Sequence, residues 1–131
     1  MNSVINFTNA LLIGLGAAIG AWCRWGLGVV FNTVWPNLPL GTLIANLSGG
    51  FMMGLVLGFI GLGSIENPSL RLFITTGFLG GLTTFSAFTG ESLTLLQKHE
   101  YSLAAIHVSS HVLGALLMAA IGFAFIQYLK N

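Results

Sequence analysis

The stretch Thr75 to Glu91, read T-T-G-F-L-G-G-L-T-T-F-S-A-F-T-G-E, carries side chains suited to holding an ion rather than breaking a bond. It contains four glycines, six hydroxyl side chains and three phenylalanines inside an apolar segment long enough to cross a bilayer. Glycine costs a helix interior roughly 1 kcal/mol relative to alanine. Gly77, Gly80 and Gly81, followed by Thr83 and Thr84, therefore predict a broken helix near Gly80 to Thr83. Broken backbone at membrane depth survives where it is buried in protein or lines a polar cavity. Unwound carbonyls in such a break coordinate cations, and the half-helix that follows attracts anions.

Other candidates lie around it. Phe85 and Phe88 are three apart and share a helix face, with Glu91 one turn further on. Aromatic rings have positive edges, so a small anion can pass beside them; ordinary packing explains the same pair. Glu91, near a helix end, reads as a water-facing carboxylate before a proton relay. Thr42 and Asn46 are four apart and share a face. The Asn46 amide can donate two hydrogen bonds to an anion or staple two helices. Arg24, in A-W-C-R-W-G, is either an interfacial anchor between Trp22 and Trp25 or a partner for an anion in a wet cavity. His107 and His111 have metal-binding spacing. No third ligand stands at a recognisable distance in sequence, so a polar lining between helices is the favoured reading.

These residues must be positioned by membrane helices. Of 131 residues, 55% are hydrophobic and 5% charged, against about a quarter charged in soluble domains. At about 20 residues per span, four helices with short loops fill the chain. The expected spans are 7–34, 40–63, 69–98 and 102–129, an all-α membrane protein of one domain over 1–131. The N-terminal M-N-S-V-I-N-F-T-N has no Lys or Arg, unlike a signal peptide, so the first apolar segment should stay in the membrane. Trp35-Pro36-Asn37-Leu38-Pro39 makes a rigid turn, and Pro68 can open the third helix. Gly16 and Gly20, then Gly50, Gly54 and Gly58, are spaced for close helix contact, and Gly114 and Ala115 permit close approach in the fourth segment. A net charge of +1 does not suggest nucleic acid, and the lone Cys23 allows no internal disulfide.

Four spans put both termini on one side. That side carries Arg71 and Lys130, the other Lys98, a weak bias for the positive-inside rule. Oppositely oriented copies could therefore pair like an inverted repeat. Two broken helices would then meet at a two-fold axis, with enough carbonyls for a dehydrated monovalent cation.

The motifs G-A-W-C-R-W, G-T-L-I-A-N-L and G-F-L-G-G-L-T-T-F-S-A-F-T-G-E resemble the Fluc (CrcB) fluoride channels over essentially the whole chain. The third run is highly specific. The resemblance implies an antiparallel, dual-topology homodimer with two pores, passively exporting fluoride across the cell membrane. It implies a structural Na+ held at the dimer centre by the carbonyls of Gly80 and Thr83. Phe85 and Phe88 match the phenylalanines flanking the fluoride path, and Asn46 the asparagine that orients them and offers its amide. Thr84 and Ser86 match hydroxyls near the pore, Glu91 the vestibule carboxylate and Arg24 the vestibule arginine. Thr42 and His111 join the expected path, although the fourth segment departs most, with Ala115 where a serine can occur.

Two other readings compete. Small dual-topology multidrug exporters also have four short helices, but they place a glutamate in the first, where this chain has only Arg24. A scaffold built for helix packing would have no use for the Thr83-Thr84-Phe85-Ser86 break. An enzyme is least favoured, because no Ser/His/Asp or Cys/His constellation is visible.

Overall fold

A computed structural model describes residues 4–131; Met1–Ser3, the start of the N-terminal stretch read above, lie outside it. Among the described residues, four helical spans are long and apolar enough to cross a membrane. They are α1 (Phe7–Phe31), α2 (Leu40–Gly61), an interrupted third span, and α6 (Tyr101–Lys130). The third span comprises α3 (Pro68–Leu72), a π-helical turn over Phe73–Leu79, α4 (Gly80–Leu82) and α5 (Phe85–Gln97). Large apolar side chains such as Leu15, Trp25, Leu116 and Leu117 are exposed, as expected of helices whose solvent is lipid.

The helix ends follow local chemistry. Asn6 caps α1 by accepting from the Asn9 amide at 2.8 Å. Asn67 caps α3, accepting from Ser69 N at 2.9 Å, with Pro68 in the first turn as its missing N–H permits. Pro39 offers α2 no side-chain cap. Asn32, just past α1, supplies one by accepting from Gly41 N at 2.8 Å. That latch turns the chain between α1 and α2, and α1 therefore ends at Phe31 rather than at 34. The α2 and α5 ends use left-handed residues, Gly63 (φ 72°) and His99 (φ 61°). In each, two amides fold back on the last turn, Gly63 N to Ile60 O with Ser64 N to Phe59 O, and His99 N to Leu96 O with Glu100 N to Leu95 O, the usual Schellman closure.

Packing is carried by glycine. Within a membrane, helices associate through van der Waals contact, which small residues bring close. A Cβ on Gly16 would meet Phe73 O at 2.6 Å, and one on Gly77 would meet Ile13 O at 2.9 Å. The α1 helix is thus pressed against the first half of the third span. Gly50 faces Ala115 O (2.6 Å) and Gly58 faces Ile126 Cβ (2.7 Å), seating α2 on α6. Gly114 faces Leu47 Cδ2 at 2.8 Å.

The interruption falls slightly later than expected. Gly80–Leu82 is still helical, and the extended residues are Thr83 (φ −79°, ψ 158°) and Thr84 (φ −151°, ψ 119°). The glycines serve contact with α1 rather than the break: a Cβ on Gly81 would meet Ala17 Cα at 2.9 Å. The break lets the span change neighbours. Its first half packs on α1, and its second half, α5, packs on α6.

Gly54 sits against the Ala119 carbonyl, and a Cβ there would also lie 2.9 Å from Phe123 N. Neither backbone atom can give way without moving a helix. Gly54→Val is expected to destabilise the fold by about 2 kcal/mol or more through overpacking. A lowered melting temperature of the detergent-solubilised protein, read against wild type, checks it.

Candidate functional site

Asn46 closes the break. Its Oδ1 accepts from Thr84 N at 2.7 Å, and its Nδ2 donates to Thr84 O at 3.0 Å. Both exchanges cross from α2 to the unwound backbone. They also fix the amide orientation, since only the nitrogen can donate. The same Nδ2 lies 2.9 Å from His111 Nδ1. Both Asn46 amide protons are therefore engaged, one with Thr84 O and one with His111. Of the two readings of Asn46, these contacts form the staple between helices: it braces the break.

The diverted donors define the ends of the two half-helices. In an unbroken helix Thr84 N would donate to Gly80 O, and Ala87 N to Thr83 O. Here Thr84 N goes to Asn46, and Ala87 N goes to Thr84 Oγ1 at 3.1 Å. The Gly80 and Thr83 carbonyls thus lose their helical donors, while Gly80 lies on an exposed face. Arg24 meets a third carbonyl: its Nε donates to Gly81 O at 3.1 Å. A cation at a helix C-terminus is favourable. Arg24 is accordingly pinned to the break, although its neighbours Trp22 and Trp25 are 66% and 71% exposed.

A chain of polar groups leads on from the break. Thr42 Oγ1 donates to Glu91 Oε1 at 2.6 Å. Glu91 Oε2 lies 3.3 Å from His107 Nε2, without an aligned hydrogen bond to it. His107 and His111 are 3% and 4% exposed, with ring centroids 4.5 Å apart. Glu91 keeps 19% of its side chain exposed, and Thr42 turns one of its oxygens towards α2. The hydrogen-bond pattern also assigns the His111 tautomer. Because Nδ1 accepts from Asn46, the neutral ring carries its proton on Nε2, and among the described residues that buried atom has no hydrogen-bond partner.

The phenylalanines divide. Phe88 is buried at 8% exposure and packs its ring on His111, with centroids 4.8 Å apart. Phe85 is 78% exposed, 5.4 Å from Phe88 by centroid. Two cavities meet the site. One of about 420 Å³ is lined by Asn46, Gly80, Thr83, Phe85, Phe88 and His111 among others. The second, about 430 Å³, holds Arg24, Asn32, Thr42, Thr84 and Glu91. Thr84 borders both. Ser86 lies 3.3 Å from Thr84 Oγ1 by its hydroxyl, on the exposed side.

The structure thus gathers Asn46, Thr84, Phe88, His111, Thr42 and Glu91 through direct contacts, while Arg24 shares the second cavity with three of them. One participant escaped sequence reasoning, and so did the partner of another. Asn32 gave no signal beyond a polar residue near a turn. His107 was visible as half of a four-residue pair, but its partner Glu91 lies on another helix.

The geometry can be set beside known proteins. The family described as "CrcB-like protein, Camphor Resistance (CrcB)" matches residues 11–123. A fluoride-specific ion channel FluC of Aromatoleum aromaticum is 49% identical over 124 residues, 95% of each chain. One of Nitrosospira multiformis is 46% identical over 119 residues, 91% of this chain and 93% of that one. A third, of Cupriavidus pinatubonensis, is 52% identical over 110 residues, 84% of this chain and 87% of its own.

Proposed function

The chain belongs to the CrcB-like family, and from that premise we propose that it is a fluoride-specific ion channel. It is a multi-pass membrane protein and a channel rather than an enzyme. The observation that carries the reading is the Asn46 brace, which holds an unwound backbone open beside a buried ring and an unpartnered histidine N–H.

Fluoride holds water tightly, so a pore must replace that water with donors while binding weakly enough to release. Thr42, Arg24 and Thr84 supply polar groups in the vestibule cavity. His111 supplies its Nε2–H further in, beside the Phe88 ring. Asn46 can add a donor by exchanging His111 for the ion. The path accordingly runs along Thr42, Glu91, Asn46, Thr84, Ser86, Phe88, Phe85 and His111. Apart from the Glu91 carboxylate, these are donors and ring edges in series, which suits a passive path that lets fluoride run down its gradient out of the cell and so lowers cellular fluoride across the cytoplasmic membrane.

The 78% exposure of Phe85 suits a second, antiparallel copy that covers it and completes the wall. The same pairing brings two sets of Gly80 and Thr83 carbonyls together. They fit a structural Na+: their helical donors are diverted and they lie beside the exposed cavity. Bound there, the ion would neutralise oxygen dipoles and tie the two breaks to each other.

The test is efflux from liposomes loaded with fluoride, followed by an ion electrode. Fast, electrogenic fluoride loss without chloride loss is expected. Silence, with proton-coupled uptake of a lipophilic cation instead, would assign the exporter reading; silence in both assays would leave a scaffold.

A further inference from the structure

We infer that Glu91, His107 and His111 form a binding site for a transition-metal dication of the Zn2+ class, whose occupation blocks the path. One ligating atom of each residue lies within 4.8 Å of the others. Two histidines and a carboxylate are a recognised donor set for Zn2+, with a fourth position left for water. Ligands around a tetrahedral ion at about 2.1 Å stand about 3.4 Å apart. His107 Nε2 and Glu91 Oε2, at 3.3 Å, already have that separation. His111 must close in by a modest side-chain movement.

The hydrogen bonding favours an ion there. His107 Nε2 makes no hydrogen bond among the described residues, although it stands against Glu91 Oε2. With the proton of the neutral ring on Nδ1, the His107 Nε2 lone pair faces the lone pairs of Glu91 Oε2. Two buried acceptors at 3.3 Å need something positive between them, a proton or a metal ion. Thr42 holds the other Glu91 oxygen in place. A route in exists, since Glu91 lines the vestibule cavity. Arg24 lines the same cavity and opposes a dication, which weakens its binding.

Occupation would change the site. A metal on His111 Nε2 moves that ring's proton to Nδ1, where it meets the Asn46 amide head-on. The 2.9 Å Asn46–His111 bond and metal ligation are therefore exclusive, and the Nε2 donor is lost to fluoride.

Tag-free wild-type protein should be titrated with Co2+, whose visible absorption reports tetrahedral ligation. One equivalent per chain is expected to bind with micromolar affinity, displaced by Zn2+. His107→Gln and Glu91→Gln, each checked for a wild-type elution profile, should each weaken binding by about a hundredfold. His99→Gln, on an exposed loop residue, should leave the spectrum unchanged. In liposomes, Zn2+ should slow fluoride efflux reversibly, with EDTA restoring it. No saturable Co2+ spectrum would mean that only a proton is shared there, and would overturn the site. So would an unaltered titration in both His107→Gln and Glu91→Gln. The spectrum needs no fluoride flux, so a failed efflux assay with intact Co2+ binding would count against the channel reading and not against this one.

Discussion

Asn46→Asp is expected to reduce fluoride efflux by about three orders of magnitude while leaving the helices in place. The substitution keeps the oxygen that accepts from Thr84 N but removes both donors, to Thr84 O and to His111 Nδ1. It also sets a carboxylate beside the proposed path. Two like charges about 4 Å apart near a protein surface repel by about 4 kcal/mol. At about 1.4 kcal/mol per tenfold, that is roughly a thousandfold in rate. Liposome efflux, with elution profile and helix content as controls for folding, measures it. Undiminished flux in a folded Asn46→Asp protein would place the residue outside the path and remove the central support of the mechanism.

Gly20→Val is expected to have the largest effect on assembly of the fold. A Cβ on Gly20 would press on the Phe78 carbonyl and come within 2.6 Å of Leu82 N and 3.0 Å of Gly81 C. All three are backbone atoms of the third span, directly ahead of the break, so no rotamer change relieves the clash. The α1 helix would have to move away, and Arg24, one turn further along it, would lose Gly81 O. Overpacking costs about 1–3 kcal/mol in ordinary cores, and the loss of the Arg24 bond adds to that. Little monodisperse protein should survive extraction, in contrast to Gly14→Val, where a Cβ has open space. Equal yield and melting temperature for the two variants would show that this contact does not hold the span.

These effects separate the two jobs of the glycines and threonines in the third span. Gly77 and Gly81 bring it against α1, and Thr83 and Thr84 release it. Without the release, α5 would continue along α1, and Phe88 could not reach His107 and His111 on α6.

What the chain itself determined was its division into four apolar spans, because the bilayer demands about 20 apolar residues per crossing and prolines and polar runs mark the ends. It also determined that the third span is interrupted, through its clustered glycines and hydroxyls, and that Gly16, Gly20, Gly50, Gly54 and Gly58 lie at helix contacts. The resemblance carried by the motif around Thr83 to Glu91 pointed to the proposed fluoride path before any coordinates. Only the tertiary structure decided where the break falls, since Asn46, 38 positions away in sequence, competes for the Thr84 amide. It alone split Phe85 from Phe88: helical spacing gives a shared face but not which part of that face a neighbour covers. It turned one Glu91 oxygen towards α2 and supplied the third group to the His107 and His111 pair, because ligands on different helices leave no spacing to read.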